Sequence, residues 1–412
     1  MSASVETTYA APAEVGRYQR LALIVGVVFM LLFVLGIFVP HGSGQNQVPG
    51  ITQFFRSYLV GFVFWTGVSV GCLGLLMLQH NISGAWGIVI RRVLEAGTRT
   101  LPLMLVLFLP LAFIGLPHVY EWVNPQGFNA TPQSIEIINS KRGYLNVPFF
   151  LARSFIYFAL WIGMMYVLNL WSREQDKTGA RGLTKKMQRV SGPGLGIFIL
   201  SVTFAAIDWM MSLEPEWFST IFGLLFVAGW NLSAFAFVIV VMFWLSARKP
   251  MNEVLLPRHF HDLGKLLLAF VMLWAYFAFS QYLIIWAGNL PEEIKWYLYR
   301  TRGGWGWVGL LLPILHFALP FLMLLSRDLK RNASKLAIVA VAIFVMRFID
   351  LVWTIVPEFH KGAFAMSWMD VVAPIAIGGL WLAYFAWQLQ QRPLLPTGDQ
   401  RLAESLEDHG GH

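Results

Sequence analysis

The sequence predicts an all-α integral membrane protein that crosses the bilayer ten times. Hydrophobic residues make up 57% of the 412 residues and charged residues only 13%, whereas soluble proteins carry about 25% charged residues. The apolar residues are concentrated in ten runs, most of them close to the roughly 20 residues that cross a hydrocarbon core. Cys72 is the single cysteine, so no disulfide can form within the chain and a disulfide-rich secreted fold is excluded.

The ten predicted spans follow one another with connections too short for a separate soluble domain. They cover residues 21–40, 58–78, 101–116, 149–171, 195–211, 221–245, 267–286, 306–325, 336–356 and 371–387. The third is the shortest and contains Pro102 and Pro110, and the preceding stretch 88–100 would extend it at the interface. The first is longer than the apolar part of a signal peptide and lacks a small-residue cleavage site, so we expect it to be retained.

The distribution of basic residues predicts the orientation of these helices. Of the 30 Lys and Arg residues, 21 fall in connections on one side of the predicted membrane, 7 fall on the other side and two lie within spans. Because basic residues are enriched on the cytoplasmic side, we expect cytoplasmic tails at residues 1–20 and 388–412 around a membrane domain at 21–387. The net charge of +8 is thereby explained as a topology signal, without nucleic-acid binding.

Four ionisable residues lie well inside the predicted spans, and His316 adds a fifth polar position. A charge near the bilayer centre costs at least about 2.5–3.5 kcal/mol, so each should face the bundle interior with a partner. Arg347 and Asp350 share a helix face at i, i+3 spacing. Arg153 and Asp208 lie at similar depths on consecutive helices, so we expect a second pair.

Further titratable residues are expected near the two membrane surfaces. Glu214, Glu216, Glu358, His360 and Asp370 would ring an opening on the outer side. Two interpretations stay open for these residues and the buried charges. They form a proton half-channel, since carboxylates and His exchange protons when burial and neighbours tune their pKa values, or they are paired charges and hydrogen-bonded side chains that fix helix packing.

Cofactor ligands are scarce in the sequence. Only His316 lies clearly inside a span, whereas haem b is held by His residues facing one another across a bundle. One cysteine cannot hold an iron–sulfur cluster, and the phosphate-binding, dinucleotide and zinc motifs are not found. We therefore expect no metal or cofactor in this chain.

Several stretches resemble a known family. The carrying motifs are 208–223 (DWMMSLEPEWFSTIFG), 258–265 (RHFHDLGK), 270–281 (FVMLWAYFAFSQ), 285–294 (IWAGNLPEEI), 302–307 (RGGWGW) and 316–332, which begins HFALPF and ends SRDLKRN. Together they resemble ActF, the NrfD-like membrane subunits of alternative complex III, a bacterial quinol:cytochrome c oxidoreductase. The similarity extends over about residues 20–390 and is most specific between 208 and 332.

The resemblance implies two four-helix bundles with flanking helices, in the bacterial inner membrane. It implies partners: an ActC-like NrfD subunit, an ActB-like iron–sulfur subunit, multihaem and monohaem c-type cytochromes, a terminal oxidase as a further candidate, and membrane lipid. Iron–sulfur clusters and c-type haems would belong to these partners, and quinol oxidation to ActC. This chain would be a non-catalytic subunit that supports the assembly and conducts protons. The matching candidates are Asp208, His316, Arg347 and Asp350, with His259, His261 and Asp262 on the inner side.

Three interpretations of function stay open, and the first is the non-catalytic, proton-conducting subunit described above. A path across the membrane also needs a buried acid in the inner half, and the sequence indicates none. The first alternative is an NrfD-type subunit with its own quinone pocket, where Asp208, His316 or His118 would accept the quinol proton. The second is a secondary transporter, which would show repeated halves with paired broken helices.

Overall fold

The computed structural model describes residues 9–42, 47–82, 84–361 and 364–406. Within these residues, ten helices are long and apolar enough to cross a membrane, as predicted. We label them in chain order: α1 Glu14–Phe38, α2 Gly50–Ile82, α3 Trp86–Val119, α4 Val147–Thr178, α5 Arg181–Leu213, α6 Phe222–Ser246, α7 Pro257–Gly288, α8 Trp305–Leu325, α9 Ala333–Phe359 and α10 Met369–Gln390. In the same residues, the only β-structure is an isolated bridge between His41 and Val48.

Helix α2 lies at the centre of the bundle and α1 lies at its edge. The apolar part of α2 is entirely buried, whereas only 17% of that part of α1 is buried. α2 packs on α3, α5, α6 and α10, and α1 packs on α10. Gly26 and Gly379 allow the last contact, because a Cβ on Gly26 would lie only 2.6 Å from the Leu380 backbone nitrogen. Small residues let membrane helices approach in this way.

The bundle has two distinct ends. α1 and α10 run antiparallel, with Gly16 beside Gln390 and Gly36 beside Met369. We call the end that holds the start of α1 and the finish of α10 the terminal end. The opposite, loop end carries the long connections 120–146 and 289–304, which include the short helices Pro132–Ser140 and Pro291–Thr301. The described residues 360–361 and 364–368 lie at the same end.

The third span differs most from its prediction. α3 takes in the whole of 88–100, and Arg91 and Arg92, expected in a connection, are buried within it at 0% and 2% exposure. That placement was wrong because their charges are compensated by residues far away in the sequence. α3 and α8 each contain a π-helical stretch, Leu111–Gly115 and Leu312–Ala318. Such stretches are frequent at functional sites.

The chain beyond α10 packs against the terminal end. The Leu394 backbone N–H donates to the Tyr9 carbonyl at 2.7 Å, and Leu394, Leu395 and Asp399 are buried. A short helix follows at Arg401–Leu406. The described part of the predicted tail at 388–412 is therefore part of the folded domain, as is the tail at 1–20 from Glu14 onward.

Candidate functional site

The first expected ion pair is present at the loop-end half of the bundle. Arg153 on α4 makes a two-pronged contact with Asp208 on α5, with Nε to Oδ2 at 2.8 Å and Nη2 to Oδ1 at 2.9 Å. The Tyr157 hydroxyl also donates to Asp208 Oδ2 at 2.6 Å. The Tyr144 ring centroid lies 3.8 Å from the Arg153 guanidinium carbon. Charge-assisted, bidentate geometry of this kind is strong and specific, so this pair fixes α4 against α5.

The second expected pair lies farther from the loop end of its helix than the first pair does. Arg347 Nη1 donates to Asp350 Oδ2 within α9, and the Trp274 indole N–H of α7 donates to the same oxygen at 3.3 Å. Both charged side chains are buried, at 4% and 7% exposure. Asp350 precedes the loop-end terminus of α9 at Phe359 by nine residues, which is about 13 Å along the helix. The pair therefore lies well inside a helix that is long and apolar enough to cross a membrane.

His316 lies in the π-helical stretch of α8 and contacts the same tryptophan. Its ring centroid is 4.1 Å from that of Trp274, in edge-to-face geometry. His316 is fully buried, and neither ring nitrogen has a hydrogen-bond partner among the described residues. The described residues therefore do not supply the hydrogen bond expected of His316 as a packing residue. Buried polar atoms are normally satisfied, so these two nitrogens mark a position where a water or a proton donor would be accommodated.

A third group of charges lies at the loop end. Glu358 Oε1 accepts from Arg300 Nη2 at 2.5 Å, and Lys361 Nζ lies 3.0 Å from Glu214 Oε2. Burial, and then repulsion from the neighbouring Glu358, raises the pKa of Glu214 to about 8. Burial alone would lower the pKa of Lys361, but Glu214 and Glu358 raise it above its ordinary value. Burial and the Glu358 carboxylate thus outweigh the charge of Lys361, which alone would lower the pKa of Glu214.

A cavity of about 300 Å³ lies beside Glu214 at the loop end. Its lining includes Glu214, Lys141, Tyr144 and Ser212. Tyr144 accepts from Arg153 Nη1 through its carbonyl at 3.1 Å, and the Ser212 hydroxyl donates to the Asp208 carbonyl. Two of the residues that line the cavity with Glu214 therefore also contact the Arg153–Asp208 pair.

The expected ring of titratable groups around an outer opening is not formed as predicted. Glu358 and Asp370 are buried. Asp370 accepts from the Ser57 hydroxyl at 2.5 Å and from the Ser367 backbone at 2.8 Å. Glu216 pairs with Lys295 Nζ at 3.0 Å. Asp370 and Glu216 are thus each bonded to donors of their own, whereas Glu214 and Glu358 share Lys361 as a neighbouring charge.

His360 is half-buried beyond α9, and burial and the charge of Arg56 lower its pKa.

The three candidates on the inner side lie together at the start of α7, at the terminal end. His259 is buried, and its Nδ1 accepts from the Leu256 backbone N–H at 3.1 Å. Asp262 pairs with Lys265 at 3.2 Å in an exposed position, and His261 is half-buried. His259 therefore caps the helix, and Asp262 is a surface charge. Between Asp262 and Trp274, residues 266–273 of α7 are all apolar, about 12 Å of helix.

The structure also contains a cluster of buried charges that sequence reasoning missed. Glu95 is fully buried on α3 and accepts from Arg91 Nε at 3.2 Å, Arg92 Nη1 at 2.6 Å and Arg392 Nη1 at 3.3 Å. The Ser172 hydroxyl donates to it at 2.5 Å. This terminal cluster corrects the expectation that the inner half holds no buried acid. The i, i+3 and i, i+4 spacings of Arg92 and Arg91 to Glu95 were the available signal.

The terminal cluster is far from the loop-end charges. Ser172 follows Arg153 by 19 residues on α4, about 28 Å along the helix axis. Asp399 Oδ2 accepts from Arg91 Nη1 at 2.9 Å and from Arg401 Nη2 at 2.8 Å. Arg92 pairs with Asp176. Every acidic side chain of this cluster therefore has at least one Arg partner, which is the arrangement of a structural ion network.

No group of three or more His, Cys, Asp and Glu side chains in the described ranges has metal-site geometry.

A scan against protein-family models matches no family, and a search of curated proteins finds no similar one.

Proposed function

We propose that the chain is a non-catalytic membrane subunit of a bacterial respiratory quinol-oxidising complex, of the alternative complex III type. In this proposal the loop-end half of its bundle exchanges protons with the medium at that end. The sequence resemblance between residues 208 and 332 supports the family, and the ten helices agree with it. The proposed NrfD-like arrangement places both termini in the cytoplasm of the bacterial inner membrane.

The contact of Asp350 and His316 with one tryptophan is the observation that carries the proton role. Trp274 binds the Asp350 carboxylate through its N–H and packs its ring against His316. Two groups able to hold a proton thus contact the same indole ring, and both are buried. Intramembrane ionisable residues of this kind mark proton relays in membrane proteins.

The relay is a half-channel that opens at the loop end. Glu214, with a pKa of about 8, faces the loop-end cavity and exchanges protons with the medium. Asp350 and His316 lie deeper in the bundle. In this proposal they bind or release a proton when the charge of a neighbouring group changes. On the other side of His316, apolar residues 266–273 separate it from Asp262, and burying an isolated charge in such a region is costly.

A quinone pocket in this chain receives less support. A cavity of about 750 Å³ between α1, α2, α6, α9 and α10 is lined by none of Asp208, His316 and His118. Asp208 is already occupied by Arg153 and Tyr157, and His118 Nδ1 is bonded to Thr52 at 3.1 Å. The quinol-oxidising site is accordingly assigned to a partner subunit.

Purification from the native membrane tests the assignment. We expect a tagged chain to copurify with c-type haem and with quinol-dependent electron transfer to an acceptor. A chain that is recovered alone and stable, without haem, would contradict the proposal and favour a transporter. Copurification in mild detergent with loss in harsh detergent would distinguish a true assembly from aggregation.

A further inference from the structure

An apolar crevice faces out of the bundle. It has a volume of about 750 Å³ and is bounded by α1, α2, α6, α9 and α10. Along α10 its lining extends from Val371 to Leu389, about 27 Å of helix, close to the roughly 30 Å thickness of a hydrocarbon core. In a bilayer such a space is filled by hydrocarbon chains or by another helix.

The crevice exists because α1 touches the bundle along α10. Gly26 and Gly379 bring these two helices together. On the side facing α6, the ring centroids of Tyr18 and Trp244 meet at 5.3 Å in edge-to-face geometry, at the terminal end. The space between α1 and α6 is therefore closed by aromatic rings at the level where Trp and Tyr sit in membrane interfaces.

A cation lies at this aromatic end of the crevice. Arg248 follows α6, its guanidinium carbon is 3.9 Å from the Trp244 ring centroid, and its Nη1 donates to the Trp244 carbonyl at 2.6 Å. No carboxylate in the described part of the chain pairs with Arg248. The neighbouring Lys249, by contrast, pairs with Glu253 at 3.3 Å. Arg248 thus keeps donors free for an anion at the interface.

We propose that the crevice is a binding site for an anionic phospholipid of the terminal-end leaflet. Its phosphate is bound by Arg248, and an acyl chain lies in the crevice beside Phe385, Leu382 and Gly378. From Leu389 to Gly378 is about 16 Å of helix, which matches one leaflet. Because lipid tails gain no hydrophobic free energy by leaving other lipids, selectivity comes from the headgroup charge and from packing on the aromatic walls.

Charge favours a lipid over a partner helix at this place. A partner helix would fill the crevice with side chains and leave Arg248 beside apolar atoms at its mouth. A phosphate satisfies the guanidinium in a fork geometry. The occupant is therefore defined by an anion at one end and a flexible apolar chain below it.

Lipid exchange on the purified full-length chain, in whatever assembly it is isolated, tests the proposal. The protein is equilibrated in mixed micelles of phosphatidylglycerol and phosphatidylcholine, and the retained lipids are quantified by mass spectrometry. Wild type should retain phosphatidylglycerol preferentially, and Arg248→Gln should reduce that preference about fivefold, the effect of one interfacial cation. The matched control Lys249→Gln should keep the wild-type preference for phosphatidylglycerol.

A second measurement locates the acyl chain. Phosphatidylglycerol with brominated chains should quench part of the tryptophan fluorescence, and Trp65→Phe should remove a share of that quenching, because Trp65 lines the crevice. Equal retention of the two lipids by wild type, equal loss in both surface variants, or quenching unchanged by Trp65→Phe would overturn the proposal. Protection of the crevice from brominated lipid in the intact assembly would identify a protein occupant and overturn it too.

Discussion

Arg153 and Asp208 form a bidentate ion pair between α4 and α5, with nitrogen–oxygen distances of 2.8 and 2.9 Å. The Tyr157 hydroxyl adds a third donor to the carboxylate. Both carboxylate oxygens of Asp208 are therefore occupied by donors. This distinguishes the pair from Glu214 and from the Asp350–His316 region, where the proposed proton exchange takes place.

Replacing Asp208 should destabilise the protein strongly. Asp208→Asn leaves Arg153 buried without its counter-charge, and breaking a buried pair in this way costs about 3–5 kcal/mol. Thermal unfolding in detergent should show the loss, and the double variant Arg153→Gln/Asp208→Asn should recover part of it. Glu253→Gln is the control, because Glu253 and its partner Lys249 are both exposed and such pairs contribute about 0–1 kcal/mol.

Glu214 should titrate near pH 8. Because its pKa is raised in the folded state, the folded protein holds a proton that the unfolded chain loses above about pH 4.3. Its contribution to stability therefore declines as pH rises through this window to about 8. Infrared difference spectra should show a protonated carboxyl band that disappears with a midpoint near pH 8.

The band should be missing in Glu214→Gln and unchanged in Glu216→Gln. For Glu216, burial alone would raise the pKa, but the Ser134 hydroxyl and Lys295 lower it below its ordinary value. A midpoint near pH 4 in the wild type, or a band that survives in Glu214→Gln, would contradict the assignment.

The glycine contact between α1 and α10 should not tolerate a side chain. A Cβ on Gly379 would overlap the Gly26 backbone, so Gly379→Ala must separate the helices, at about 1–3 kcal/mol for overpacking. Gly163 is the matched mid-helix control, since a Cβ there would meet no neighbouring helix or side chain within 4 Å. The midpoint temperature of thermal unfolding in Gly379→Ala should be well below that of Gly163→Ala. Equal midpoint temperatures would refute the contact.

The folded C-terminal segment should depend on Asp399. Asp399→Asn weakens the bond to the fully buried Arg91, a charge-assisted interaction of about 1.5–3 kcal/mol. Limited proteolysis should then cut more quickly after Arg392. Asp262→Asn, which removes an exposed pair, should leave the cleavage rate at the wild-type value. Equal rates in all three proteins would show that the segment is held by its leucines alone.

The two loop-end ion pairs were predictable because each has a local signature. Arg347 and Asp350 share a helix face, and the depths of Arg153 and Asp208 follow from counting residues on consecutive helices. The ten spans followed from the length of the apolar runs. These predictions use only the helical repeat and the cost of burying charge.

The terminal cluster could not be assembled in the same way. Glu95 is neutralised in part by Arg392, nearly 300 positions later, and Arg91 by Asp399. A stretch that carries three Arg residues and one Glu within ten positions is typical of a connection until those partners are known. Whether a described residue bonds the His316 nitrogens likewise depends on which side chains surround α8, and no sequence pattern indicates it.

Proton release by the intact, reconstituted assembly during quinol oxidation tests the central claim most directly. In Asp350→Asn and in His316→Phe we expect electron transfer to continue while proton release at the loop end falls toward the amount that quinol oxidation itself liberates. The double variant Arg347→Gln/Asp350→Asn avoids an unpaired buried Arg, and Asp262→Asn is the control. Unchanged proton-to-electron ratios in the folded variants would contradict the account.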